Sequence, residues 1–239
     1  MHAFANPTRF LSIARPLTGW LLALGAVLTA AGLYLGLAAS PPDYLQGESV
    51  RIMYVHVPAA WLGMGAWTGI AIASLMQLVW RHPLAGVAGR ALAVPGALFA
   101  AICLITGSIW GSRTWGAWWV WDGRLTSMLI LFFMYLGYIA LANSSEERTS
   151  VSKATAIFGL IGAVNLPIIK FSVEWWWTVH QKASISVAGK QTIHPDMLWP
   201  LLLATLGFSM MFGAIVLMRM RAVLASAKVE ARLRRLATA

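Results

Sequence analysis

Residues 110–124 read WGSRTWGAWWVWDGR, a run that no soluble core accounts for. Trp110, Trp115, Trp118, Trp119 and Trp121 share it with Gly111, Gly116 and Gly123, and Asp122 stands near its end. Tryptophan has the largest apolar side chain and a single N–H donor, so this density calls for a large apolar partner. The rings follow neither a helical nor a strand period, which argues against one buried face of a regular element. The stretch reads as a flat aromatic shelf for a planar apolar molecule.

The surrounding chain is a membrane protein. It has 239 residues, of which 59% are hydrophobic and 11% charged, against roughly 25% charged in soluble domains. The single cysteine, Cys103, excludes an internal disulfide and any multi-cysteine metal site. Six apolar segments, near 17–39, 57–80, 91–110, 125–142, 155–170 and 198–218, approach the length that crosses a bilayer, roughly 17–25 residues. The first is too long for the apolar region of a signal peptide, roughly 7–15 residues, and is expected to be a retained helix. The expected fold is therefore an all-α integral membrane protein: one domain, a bundle of six transmembrane helices.

A formal net charge of +10 would suggest nucleic acid if the charges were clustered on a soluble face. Instead they sort by side. Twelve Lys and Arg fall with the termini and the loops after spans two and four; six (Arg51, Arg113, Arg124, Lys170, Lys182 and Lys190) fall on the other side. Positive charge is retained in the cytoplasm, so both termini are expected there, and the excess is a topology signal with affinity for anionic lipid. Residues 219–239 form a basic cytoplasmic tail, with 221–236 expected as a separate helix lying at the inner surface. Gly65 and Gly69 in span two form a small-xxx-small pair suited to close helix approach.

Three loops then face outward, near 40–56, 111–124 and 171–197, and the tryptophan run is the middle one. Trp175, Trp176 and Trp177 open the third, and Trp61 and Trp199 lie just inside spans two and six. An interfacial aromatic belt populates both membrane surfaces; this outward bias argues for a site outside. Two histidines stand on those loops: His56 in YVHVPAAW, with Pro58 suited to the first helical turn, and His180 in EWWWTVHQ. His194 in IHPDMLW is a third candidate. Singly, each also reads as an interfacial histidine bonded to water or a carbonyl.

Together with Arg51, Arg113 and Arg124 on the same loops, they satisfy what haem requires. Its ring offers a flat apolar face, its iron takes imidazole and its propionates suit the guanidinium fork. Catalytic readings fare worse. The outward carboxylates form no close pair, no nucleophile has a motif, and HExxH and a complete P-loop are absent. Asp122 is expected to orient a Trp N–H or an arginine, since half-buried carboxylates are usually paired.

WGSRTWGAWWVWD resembles the tryptophan-rich "WWD" signature of haem-handling proteins in cytochrome c biogenesis. With YVHVPAAW, WWWTVHQ and LWPLLL in span six, the whole chain is similar to the CcmC family. That resemblance implies a haem b (iron protoporphyrin IX) site at the periplasmic face of the bacterial inner membrane. It assigns His56 and His180 as axial ligands, Trp110, Trp115, Trp118, Trp119, Trp121 and Asp122 as the shelf, and Arg51 and Arg124 to the propionates. Arg113, Trp175, Trp176, Trp177 and His194 are less firmly placed. It also implies a non-enzymatic role, passing haem to the chaperone CcmE alongside CcmD and the ABC-type subunits CcmA and CcmB. A permease moving haem across the bilayer is the alternative.

Overall fold

The computed structural model describes residues 6–144, 149–180 and 192–238. Its helices are α1 (Pro7–Tyr34), α2 (Met53–Trp80), α3 (Ala85–Thr114), α4 (Gly123–Asn143), α5 (Lys153–Gly162), α6 (Asn165–Trp175) and α7 (Pro195–Ala237). A π-helical turn (Leu35–Ala39) extends α1, and a 3-10 turn (Glu48–Ile52) leads into α2. Among the described residues there are no β-strands, and six helical segments are long and apolar enough to cross a membrane. Lipid offers no hydrogen-bond partners, so each span must satisfy its own backbone, and the helix does this.

Several boundaries differ from those expected. The first helix begins at Pro7, because the Asn6 side chain caps it by accepting from the Thr8 N–H at 2.8 Å and Pro7 needs no donor partner. Pro58 lies inside α2 and not in its first turn. Helix α3 runs on to Thr114, so the tryptophan run starts on a helix and only its later part is a loop. Span five is broken into α5 and α6. The tail is no separate surface helix: α7 continues unbroken for 43 residues, about 64 Å at ~1.5 Å per residue, roughly twice the hydrocarbon thickness. Lys182 and Lys190 lie outside the described residues, as does Arg148 of the inner loop.

Helix α1 packs on α7, α3 contacts α2, α4 and α7, α5 lies on α2, and α6 lies on α4. Apolar burial drives little association in lipid, so close packing and interhelical hydrogen bonds hold these pairs. A Cβ on Gly32 would fall 2.4 Å from the Ala204 nitrogen, and one on Gly207 would fall 2.4 Å from the Thr29 nitrogen, so glycine sets the α1–α7 approach. Of the small pair in span two, Gly65 faces open space while Gly69 meets Leu92 of α3.

Trp67 centres the core, fully buried and edge-on to Tyr135 (4.8 Å) and Tyr138 (6.0 Å). Its indole N–H donates to the Gly159 carbonyl at 3.1 Å, just before the break in span five. There the Ala163 and Val164 N–H groups bond three residues back, to Leu160 and Ile161. The side-chain amide of buried Asn165 donates to the Ser127 carbonyl of α4 at 2.8 Å. The broken span is thus satisfied by its neighbours. At the opposite end of the bundle, Gln77 clamps the Val151 backbone, holding the α4–α5 connection against α2.

Candidate functional site

The site forms where the start of α2, the end of α3, the start of α4 and the segment after α6 converge. His56 sits in the first turn of α2, half-buried. Its Nδ1 lies 3.0 Å from the Thr106 hydroxyl of α3, and its ring meets Trp110 edge-on at 5.6 Å. A Cβ on Gly107 would fall 2.9 Å from His56 Cε1, so glycine leaves the space this ring occupies. Trp110 is itself fixed by its indole N–H, which donates to Gln46 at 2.7 Å.

His180 is positioned by Asp122, the buried N-cap of α4. One carboxylate oxygen, Oδ1, accepts from the Arg124 and Leu125 N–H groups at 3.0 and 2.8 Å. The other, Oδ2, accepts a short hydrogen bond from the Thr178 hydroxyl and further bonds from the Val179 N–H (3.3 Å) and His180 Nδ1 (3.5 Å). One carboxylate therefore starts a helix and holds the 178–180 segment after α6. Burial alone would raise its pKa. The hydrogen bonds from His180, Leu125 and Thr178, with the charge of His180, overcome that and hold it below the usual carboxylate range. The expected role for Asp122 is corrected: it accepts from backbone groups, Thr178 and His180, and neither a Trp N–H nor the Arg124 side chain is among its partners.

His56 on α2 and His180 after α6 thus stand far apart in sequence, each beside a tryptophan of the run. In each ring Nδ1 faces a protein partner, and among the described residues Nε2 makes no hydrogen bond. Trp115 stands edge-on to His180 at 4.9 Å. The tryptophan run is not flat. Trp110 and Trp115 brace the two histidines, and Trp119 and Trp121 meet edge-on at 5.4 Å. Trp118 and Trp121 are the exposed members, at 65% and 75%. Among the described residues the buried Trp119 indole N–H has no acceptor.

The arginines differ sharply. Arg51 is engaged: its Nε pairs with Glu48, and its Nη1 donates to the Gly36 and Leu37 carbonyls at 3.2 and 2.7 Å, closing the π-helical end of the first span. Arg124 is half-buried, and among the described residues its guanidinium has no hydrogen bond or ion pair. An unpaired, partly desolvated cation is costly and calls for an anion. Arg113 is exposed at the end of α3. Trp176 packs over Gly123, Trp175 stacks on Phe171, and Trp177 is 80% exposed. His194 caps α7, its Nδ1 accepting from the Asp196 N–H at 3.3 Å.

Thr106, Gly107 and Thr178 were not singled out by the sequence. The small polar Thr-Gly-Ser interruption of an apolar helix is the signal that marks the first two. Among the described residues no cluster of three or more His, Cys, Asp or Glu is placed to hold a bare metal ion.

The family model described as "Heme exporter protein C" (CcmC) matches residues 1–235. A protein of that name from Bradyrhizobium diazoefficiens is 49% identical over 217 residues, covering 91% of this chain and 82% of its own. The one from Escherichia coli K12 is 44% identical over 221 residues, 92% of this chain and 89% of its own. The one from Paracoccus denitrificans is 39% identical over 235 residues, 98% and 94%.

Proposed function

The chain belongs to the CcmC family, and on that premise we propose that it binds haem at the outer face of a bacterial inner membrane and hands it to the haem chaperone CcmE. The observation that carries this reading is the pairing of His56 and His180, each with Nδ1 turned to a protein partner and Nε2 left without one. Imidazoles that bind metal through one nitrogen usually donate the other N–H to a hydroxyl, carbonyl or carboxylate, which orients the ring. The remaining features suit the cargo. Among the described residues the Arg124 guanidinium has no partner and is available for a propionate, the Trp119 N–H has no acceptor, and Trp118 and Trp121 present exposed indole faces. Arg51, engaged with Glu48 and two carbonyls, is the weaker candidate of the two arginines assigned to propionates.

Within this reading the chain binds and presents, and it performs no bond chemistry. Asp122 and Thr178 hold His180, Trp110 and Gly107 set His56, and the exposed indoles leave one edge of the cargo open to a partner. CcmD and the ABC-type subunits CcmA and CcmB are the proposed companions, with ATP hydrolysis belonging to them. The positive-charge bias supports a tryptophan run on the periplasmic side with both termini in the cytoplasm.

A permease carrying haem through the bilayer is favoured by the relatives' printed name, exporter. The core weighs against it: between α2, α3, α4 and α5 it is filled by Trp67, Phe99, Tyr135 and Tyr138. The test is an absorption titration of the purified protein with haem. His56→Ala and His180→Ala should each weaken the bands. Unchanged spectra in both variants would sink the ligand assignment, and haem accumulation in vesicles holding only this chain would favour the permease.

A further inference from the structure

We propose that Thr106 is a positioning residue that fixes His56 in the tautomer with its proton on Nδ1, leaving Nε2 bare as the ligand nitrogen. The inference rests on the haem-ligand reading of His56 for its purpose, but its geometry stands independently. A threonine hydroxyl has one proton to give. The Thr106 Oγ1 lies 2.7 Å from the Ile102 carbonyl and 3.3 Å from the Cys103 carbonyl, the back-bonding that threonine makes in a helix. Carbonyls only accept, so the hydroxyl proton is committed to them. What remains toward His56, at 3.0 Å, is an oxygen lone pair, and the Nδ1 facing it must be the donor.

Other histidines in the chain show the contrast. At His194 and His82, Nδ1 accepts a backbone N–H, from Asp196 and Leu84, both at 3.3 Å. In a neutral ring this places the proton on Nε2, the reverse tautomer. Those two histidines cap local backbone and offer Nδ1 to their own chain. His56, facing a hydroxyl already committed as a donor, is set the other way. His180, with Nδ1 toward the Asp122 carboxylate, is set like His56. The two tautomers thus separate the two proposed ligands from the backbone-capping histidines, and at His56 Thr106 carries that distinction.

The test uses full-length protein in detergent micelles with 15N-labelled histidine, because imidazole nitrogen shifts distinguish protonated from bare positions without haem. Wild type should show Nδ1 protonated and Nε2 bare at His56, with Thr106→Ser the same. Thr106→Val keeps the shape but removes the acceptor, and should show a mixture of tautomers. A haem titration should then find Thr106→Val bound about tenfold more weakly, the lower end of the effect of losing such a partner, and Thr106→Ser close to wild type. A His56 protonated on Nε2 in wild type, or a Thr106→Val ring unchanged in its shifts, overturns the proposal. So does a changed tautomer with unchanged haem affinity. If His56→Ala leaves haem binding intact, the ligand reading fails, while the nitrogen shifts still decide the role of Thr106.

Discussion

Replacing Asp122 separates two roles that one carboxylate combines. In Asp122→Asn the amide oxygen can still accept from the Arg124 and Leu125 N–H groups, so the cap on α4 survives. The NH2 group then points at Thr178, Val179 and His180, three donors now facing a fourth. Hydrogen bonds to a charged acceptor contribute about 1.5–3 kcal/mol each, so loss of the short bond from Thr178 alone costs the 178–180 segment about that much anchorage, and His180 loses its orientation. Asp122→Ala loses this and the cap as well, about 1 kcal/mol more. Haem affinity should fall about 10- to 100-fold in both variants, while thermal unfolding followed by tryptophan fluorescence should put the alanine variant clearly below the asparagine one.

A pH titration of wild type adds a second check. The folded carboxyl titrates below its ordinary value of about 3.9. Its contribution is therefore complete above that value and is lost as pH falls through the folded pKa. In Asp122→Asn that acid-side loss should be absent. An asparagine variant that binds haem like wild type, or is as unstable as the alanine variant, would refute the division of labour between the two oxygens.

The arginines should separate in a parallel way. Arg124→Gln removes an unpaired, half-buried cation and should weaken haem binding about tenfold with no loss of thermal stability, whereas Arg51→Gln uncaps two carbonyls and should cost about 1–3 kcal/mol of stability. A destabilised Arg124→Gln would contradict its unpaired state. Gly107→Ala places a methyl 2.9 Å from His56 Cε1 and should disturb the haem spectrum, while Gly65→Ala points into open space and should not. Equal spectra for the two glycine variants would remove Gly107 from the site.

The six spans were legible because lipid imposes a length and composition that a linear reading can find. His56, His180 and Arg124 stood out in the sequence as unusual residues on loops expected to face outward, although His56 and Arg124 lie in the first turns of α2 and α4. Their partners did not stand out. Thr106 stands 50 positions from His56 and Thr178 stands 56 from Asp122, and nothing local marks either as a partner. The flatness of the tryptophan run failed for a related reason: sequence counts rings but not their orientations, and edge-on packing is what aromatic quadrupoles favour. Helix ends slipped because hydropathy follows apolar character, whereas the Asn6 cap and the continuous basic turn of α7 depend on hydrogen bonding. The break in span five escaped because α5 and α6 share one apolar signature.

That break divides the mechanical loyalties of the span. Helix α5 is bound to α2 through Trp67, while α6 lies on α4 and leads directly to Thr178 and His180. A continuous helix would carry any tilt of its outer half into the buried Trp67 cluster, which would resist it. With the joint at 163–164, the segment bearing His180 is tied to α4, Asp122 and Trp115. The other histidine is held separately, by α2 and by Thr106 and Trp110 of α3.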